Sequence, residues 1–241
     1  MFSLLNMGLF QPGKQEISII PKQFHLSYVS RFLQPFLSST ILLVTRLVSF
    51  QARQARSQEN PLPELIILNK PYGVLCQFSG RGPTLADLVE RKGFYPAGRL
   101  DKDSEGLVLI TNSGSLQARI ADPKHKMTKE YWVQVEGKVS DNALQALRSG
   151  LLLKDGVTRP ASVKRISCPL PPRTPAIRYR KALPTDWLNV MLREGKNRQI
   201  RRMTAAVGYP TLRLYRYRIG PWSLGKILPG ESEQTSVHLP R

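Results

Sequence analysis

Trp187-Leu188-Asn189-Val190-Met191-Leu192-Arg193-Glu194-Gly195-Lys196-Asn197-Arg198-Gln199-Ile200-Arg201-Arg202-Met203 holds two periodicities in one short run. Residues Trp187 to Arg193 read as a strand, and Glu194-Gly195-Lys196-Asn197 as a turn. The next residues predict a helix from Arg198 to Val207, capped by Asn197 and ended by Gly208. Ile200, Met203 and Val207 fall on one face of that helix and point to a core, while Arg198 and Arg202, four apart, point to solvent or ligand. Arg201 lies at the border, where an arginine can reach a carboxylate while its neighbour packs.

Outward from this run the pattern stays mixed. Leu65 to Leu68 predicts a strand closed by the turn Asn69-Lys70-Pro71-Tyr72-Gly73, and Val74 to Phe78 a second strand. Thr84 is placed to cap a helix carrying Leu85, Leu88 and Val89, and Ser113 one running through Ile120. Leu107 to Thr111 and Tyr131 to Val135 read as strands, and Ser140 starts a helix that Gly150 stops. Prolines 169, 171, 172, 175 and 184 mark a long loop. Strands and helices alternate without the regular spacing of repeated βαβ units, so the fold class expected is α+β.

Composition narrows the partners. The 241 residues hold 36 Lys and Arg against 17 Asp and Glu, a formal net charge of +19. With 41% hydrophobic residues the chain has enough apolar surface to fold, which excludes a disordered basic tail. Two cysteines, Cys76 and Cys168, cannot form a disulfide framework, and no Cys/His spacing suits structural zinc. Both read as packing residues. The excess charge calls for a polyanion, nucleic acid before an anionic membrane. Between Arg173 and Arg218, twelve basic residues face only Asp186 and Glu194, a net of +10 in 46 residues. Tyr179, Trp187, Tyr209, Tyr215 and Tyr217 are interleaved with them, as expected where phosphates and bases are both touched. A solvated basic face is the plain alternative.

Residues 1–60 differ from the rest, with six basic residues against two acidic ones and an apolar stretch, Thr40 to Phe50, broken by Arg46. That stretch is too short to span a membrane. A basic arm, a transit-like segment and an over-long start remain open readings. Gln51 to Asn60 is polar, and the domain boundary is expected there.

The densest polar stretch between apolar runs is Gly98-Arg99-Leu100-Asp101-Lys102-Asp103-Ser104-Glu105-Gly106-Leu107. Such a loop can lift carboxylates over a cleft, or be a solvated acidic turn. As a calcium loop it fails, because Asn112 stands where a glutamate is required. Tyr131 follows Thr128-Lys129-Glu130 and reads either as a strand aromatic or as a ring on which an extruded base stacks.

Taken together, Asn69 to Gly73, Gly98 to Leu107, Lys129-Glu130-Tyr131 and Glu194 to Met203 resemble, in order and spacing, the RsuA-type branch of RNA pseudouridine synthases. The similarity covers about residues 64–230. It implies a mixed, mainly antiparallel central sheet flanked by helices, with two subdomains around a basic RNA-binding cleft. The catalytic domain would span 61–241, behind an N-terminal extension of 1–60, with a C-terminal tail from about 231. No S4-like N-terminal domain is expected, since residues 1–60 do not resemble one.

The resemblance also implies roles. Asp101 would be the nucleophile, Arg201 the arginine that pairs with it, and Tyr131 the ring that stacks on the target base. Ile200 would wall the uracil pocket, with Leu100 and Lys70 helping to shape it. Arg99, Lys129, Lys196, Asn197, Arg198, Gln199 and Arg202 would bind substrate. Ser104 stands where many relatives carry threonine and keeps the hydroxyl. Isomerising uridine needs neither cofactor nor metal. The implied partner is ribosomal RNA, 23S RNA or its large-subunit precursor, met by a monomer in the cytoplasm, with organelle targeting by residues 1–60 left open and no membrane involved. An idle ribosome-assembly factor on the same scaffold is the competing reading.

Overall fold

A computed structural model describes residues 62–237 apart from Lys126, Tyr179, Lys181 and Ala182. The expected N-terminal extension and boundary, and the place of Tyr179, lie outside the described residues.

Strand β1 is Glu64–Lys70, β2 Tyr95–Pro96 and β3 Glu105–Thr111, followed by helix α1, Gly114–Ala121. Then come β4, Lys129–Glu136; α2, Asp141–Ser149; the hairpin β5, Leu152–Leu153, and β6, Gly156–Val157; and β7, Ser162–Ile166. The chain continues through β8, Thr185–Leu192; α3, Gln199–Ala206; β9, Thr211–Ile219; β10, Trp222–Ser223; and β11, Ser232–Ser236. One sheet runs in the order β11-β1-β3-β9-β4-β8-β7, with β2 beside β3 and β10 beside β9. All its pairings are antiparallel except β3 with β9, where Glu105 faces Tyr215 and Gly106 faces Arg216. This is the α+β class the sequence predicts, with a mixed, mainly antiparallel sheet and, among the described residues, three α-helices.

Both faces of β3 are buried, and its alternation feeds two cores. Leu107 and Leu109 join Leu65, Leu116, Ile120 and Ile219, while Val108 and Ile110 join Leu68, Leu85 and Leu100 on the other side. A third core lies under β4, β7 and β8, where Leu144, Leu147 and Met203 from the helices meet Val133 and Leu188. Each such side chain contributes about 1.5–3 kcal/mol on burial. Ser113 and Ser140 accept from Leu116 N and Ala143 N, capping α1 and α2 as predicted.

Five local expectations change. Val74 to Phe78 is not a strand, because Gln77 N donates to Leu75 O at 2.9 Å and closes a tight turn there. The helix after Thr84 is a single 3-10 turn, Leu85–Asp87, held by a capping box in which Thr84 N donates to Asp87 Oδ2 at 2.7 Å. Helix α3 begins at Gln199, and the capping position is Arg198, at φ +47°, with no side-chain cap bond; Asn197 is not the cap. The expected tail from 231 contains β11, which pairs with β1 from Glu64↔Ser236 to Leu68↔Ser232 and covers that edge. Cys76 is buried as expected, whereas Cys168 is exposed. Among the described residues no helix is long and apolar enough to cross a membrane.

Candidate active site

The parallel contact between β3 and β9 brings together three segments distant in sequence. The loop carrying Asp101 enters β3 at Glu105, Gly106 pairs with Arg216, and Arg216 pairs on its other side with Tyr131 of β4. Gly106 permits this approach: its φ is +102°, and a Cβ there would run into the Arg216 backbone.

Four donors brace the Asp101 loop. Gly73 N donates to Lys102 O at 2.9 Å and Ser104 N to Asp101 O at 3.1 Å. Arg201 Nη2 donates to Asp103 O at 2.6 Å, and Arg216 Nη1 to Arg99 O at 3.2 Å. Asp101 stands half-buried between two cavities and lines both. One, of about 380 Å³, is walled by Leu100, Lys129, Tyr131, Ile200, Leu214 and Arg216, with Lys196, Asn197, Arg198 and Gln199 around it. The other, of about 490 Å³, is bounded by Tyr72, Gly73, Cys76, Lys102 and Asp103 and shares Arg99, Leu100, Asn197 and Arg198 with the first. Volumes in this range suit a small molecule or an extruded base.

Not every expected residue does what the sequence suggests. Arg201, expected on Asp101, donates to the Asp103 carbonyl and, at 3.2 Å, to the Ser104 hydroxyl; its Nε stands 3.5 Å from the Asp103 carboxylate. Burial lowers its pKa from the usual arginine value, opposed by the Asp103 charge. The guanidinium that touches Asp101 belongs to Arg198, at 3.3 Å, because the left-handed turn at that position swings its side chain toward the loop. Arg198 also grips Asp103, and that hydrogen bonding holds the Asp103 carboxyl below its ordinary pKa.

Lys70 lines neither cavity. Fully buried, its Nζ donates to Pro71 O and Val74 O, both at 2.9 Å, and so shapes the turn that presents Tyr72 and Gly73. Burial pulls its pKa down to about 8. Arg202 is held by Asp155 at 2.6 and 2.9 Å, and Lys196 Nζ donates to Asp155 O and Val157 O, because the β5–β6 turn reaches both. Gln199 is buried and accepts from Lys196 N at 3.0 Å while donating to Glu194, a strut of the turn at the cavity rim.

The +10 stretch is also less free than its count. Arg213 is paired with Glu105 at 2.8 Å, Arg180 with Glu136 at 3.3 Å and Arg218 with Glu130 at 3.4 Å, all acids from outside the stretch. Among its aromatics, Trp187 and Tyr215 are buried, and Tyr215 and Tyr217 stack on Trp132 at 5.6 and 4.2 Å. These four rings and cations build the sheet. The residues that sequence reasoning missed are Tyr72, Asp103 and Arg216; Tyr72 and Asp103 lie inside motifs read for other residues, and Arg216 is only one of the basic residues counted between 173 and 218. Among the described residues no group of three or more His, Cys, Asp or Glu is arranged to hold a metal.

Asp101, on a braced loop, thus stands beside a cavity lined by an aromatic ring, Tyr131, and an apolar wall, Leu100, Ile200 and Leu214. Residues 64–206 match the family model described as RNA pseudouridylate synthase, and the chain belongs to that family. It is 56% identical over 173 residues to ribosomal large subunit pseudouridine synthase E of Xanthomonas campestris, covering 69% of this chain and 92% of that protein. To the protein of the same name from Vibrio vulnificus it is 52% identical over 177 residues, covering 72% and 76%. A solved structure described as the crystal structure of pseudouridylate synthase superposes with a TM-score of 0.62 at 29% identity, over 72% of this chain and 70% of that one.

Proposed function

We propose that the chain converts one uridine of large-subunit ribosomal RNA into pseudouridine, with Asp101 as the nucleophile. The observation that carries this reading is the position of Asp101, braced at the rim of the cavity that Tyr131 and Ile200 line. The names of the two relatives at 56% and 52% identity support the ribosomal substrate.

The chemistry is an isomerisation. The bond from uracil N1 to ribose C1′ breaks, C5 joins C1′, the proton on C5 leaves and N1 gains one. Nothing is oxidised and no group is supplied from outside, so no cofactor is called for. Asp101 acts as the carboxylate that engages the nucleotide. Arg198 and Arg201 hold its loop, Arg198 at the carboxylates and Arg201 at the Asp103 carbonyl. Tyr131 stacks on the base and assists at C5, and Ile200 and Leu100 close the apolar wall. Entry needs the uridine to leave its stack, at about a few kcal/mol, offset by phosphate contacts along a basic cleft between two subdomains. Arg99, Lys129 and Asn197 bind RNA at its rim. The protein acts as a monomer in the cytoplasm, with residues 61–241 forming the catalytic domain.

A pseudouridine map of ribosomal RNA from cells with and without the protein tests this. One large-subunit pseudouridine is expected to disappear on deletion and return on complementation. An unchanged map with slowed ribosome assembly would instead favour the idle assembly factor.

A further inference from the structure

We propose that Arg216 is an electrostatic catalyst at the wall of the pocket, its fixed positive charge stabilising the negative charge the uracil ring acquires. This rests on the reading of the site as a uridine isomerase. Arg216 is only 4% exposed. Two of its nitrogens are spoken for, Nε by Leu107 O at 2.8 Å and Nη1 by Arg99 O at 3.2 Å. Nη2 is buried and has no partner among the described residues, and none of their ion pairs includes Arg216. Arg213, three residues earlier on the same strand, shows the usual solution: it is buried against the Glu105 carboxylate.

A buried guanidinium without a counter-charge and with a donor unspent is costly to keep, because the desolvation of the ion is not repaid. Its position gives the cost a use. Arg216 lines the cavity of about 380 Å³ and pairs in register with Tyr131, which puts its charge at the wall of the chamber that Tyr131 and Asp101 also line. The two hydrogen bonds that Arg216 donates, to Leu107 O and Arg99 O, fix the guanidinium and leave its charge without a counter-ion.

The substrate supplies the counter-charge that Arg216 lacks. Whether Asp101 first engages C1′ or C6, detaching N1 from C1′ leaves the bonding electron pair on the uracil ring, spread over N1 and the two carbonyl oxygens. A fixed cation in a pocket shielded from water stabilises that charge more in the transition state than in the neutral ground state. No bond to Arg216 forms or breaks, and its protons stay on it.

The test compares single-turnover rates of N1–C1′ bond cleavage by the full-length wild type and Arg216→Gln on large-subunit RNA transcribed with uridine or with 5-fluorouridine, whose fluorine replaces the proton that leaves C5, so that cleavage and not the final proton loss is read on both. The fluorinated ring carries the developing charge better and needs the cation less. Arg216→Gln is expected to be slower by about 100-fold on uridine RNA, the scale of a lost oxyanion donor, and by about tenfold or less on the fluorinated RNA. Arg216→Lys, which keeps the charge, should lie between, and carries the same two-substrate comparison if the glutamine variant does not fold. An equal loss on both RNAs means a purely positional role and overturns the proposal. Wild-type protein that turns over neither RNA overturns the isomerase reading and this proposal with it, whereas active wild type with an equal or absent loss sinks the arginine role alone.

Discussion

Arg198 clamps the carboxylate of Asp103 through both terminal nitrogens, at 2.9 and 2.6 Å. The clamp ties the turn before α3 to the loop that presents Asp101, across 95 residues of chain. Both partners are open to water, so the pair is worth less than about 1 kcal/mol in stability. Its worth lies in aim. Arg198→Ala should lower kcat/KM by about tenfold or more, since small misplacements of reacting groups are expensive, while the thermal midpoint barely moves. Because residue 198 sits at φ +47°, Arg198→Gly should unfold later than Arg198→Ala by about 1 kcal/mol and share its loss of activity. Steady-state kinetics beside thermal melts of the two variants checks both.

The ion pair beneath the site behaves oppositely. Glu105 and Arg213 are bound by two hydrogen bonds at 2.8 and 2.9 Å, with side chains 7% and 6% exposed. Removing one partner strands a buried charge. Glu105→Ala and Arg213→Ala should each cost about 3–5 kcal/mol by denaturant titration. Replacing both at once, Glu105→Leu with Arg213→Met, should cost less than either. If the double variant equals the sum of the singles, the pair is not the coupled unit described.

Lys70 makes a prediction with a definite sign. Burial draws its pKa from the usual lysine value of 10.5 down to about 8, so between those limits the unfolded chain binds more protons than the folded one. The penalty of burying its ammonium is fully present below pH 8 and is relieved as pH rises toward 10.5. Stability of wild type relative to Lys70→Met should therefore climb through that window, by at most about 1.4 kcal/mol per pH unit. A flat or falling difference in denaturant midpoints would remove the buried charge from the account.

Much of this architecture is readable from local patterns. Strands β1, β3, β4 and β8 carry continuous or alternating apolar residues, and Ser113 and Ser140 mark the helix starts. Strand β9 escapes such reading. Its Arg213 and Arg216 sit on opposite faces of the strand and resemble a solvated basic run, yet both are buried because partners arrive from β3 and from the Asp101 loop. The same long-range pairing hides how many of the basic residues between 173 and 218 are already engaged. Counting charge along the chain sees none of the acids that meet them. The cap of α3 is misread for a related reason: Asn197 has the preferred chemistry, but the backbone turns one residue later, at Arg198, where the side chain is drawn to Asp103.

A salt titration separates the engaged cations from the free ones. If all twelve basic residues between 173 and 218 gripped phosphates, log binding would fall with a slope of about −8 against log salt for single-stranded RNA, at about −0.7 per contact. With Arg202, Arg213, Arg216 and others occupied inside the protein, the slope should be clearly shallower, about half that value or less. Filter binding of large-subunit RNA across a salt series reads it.

The central claim is that Asp101 performs the chemistry, and its most direct test is Asp101→Asn in a deletion strain, read by a pseudouridine map of the large-subunit RNA. The account predicts that wild type restores the missing pseudouridine and that Asp101→Asn, folded and still binding RNA, restores none. A map restored equally by Asp101→Asn would contradict it.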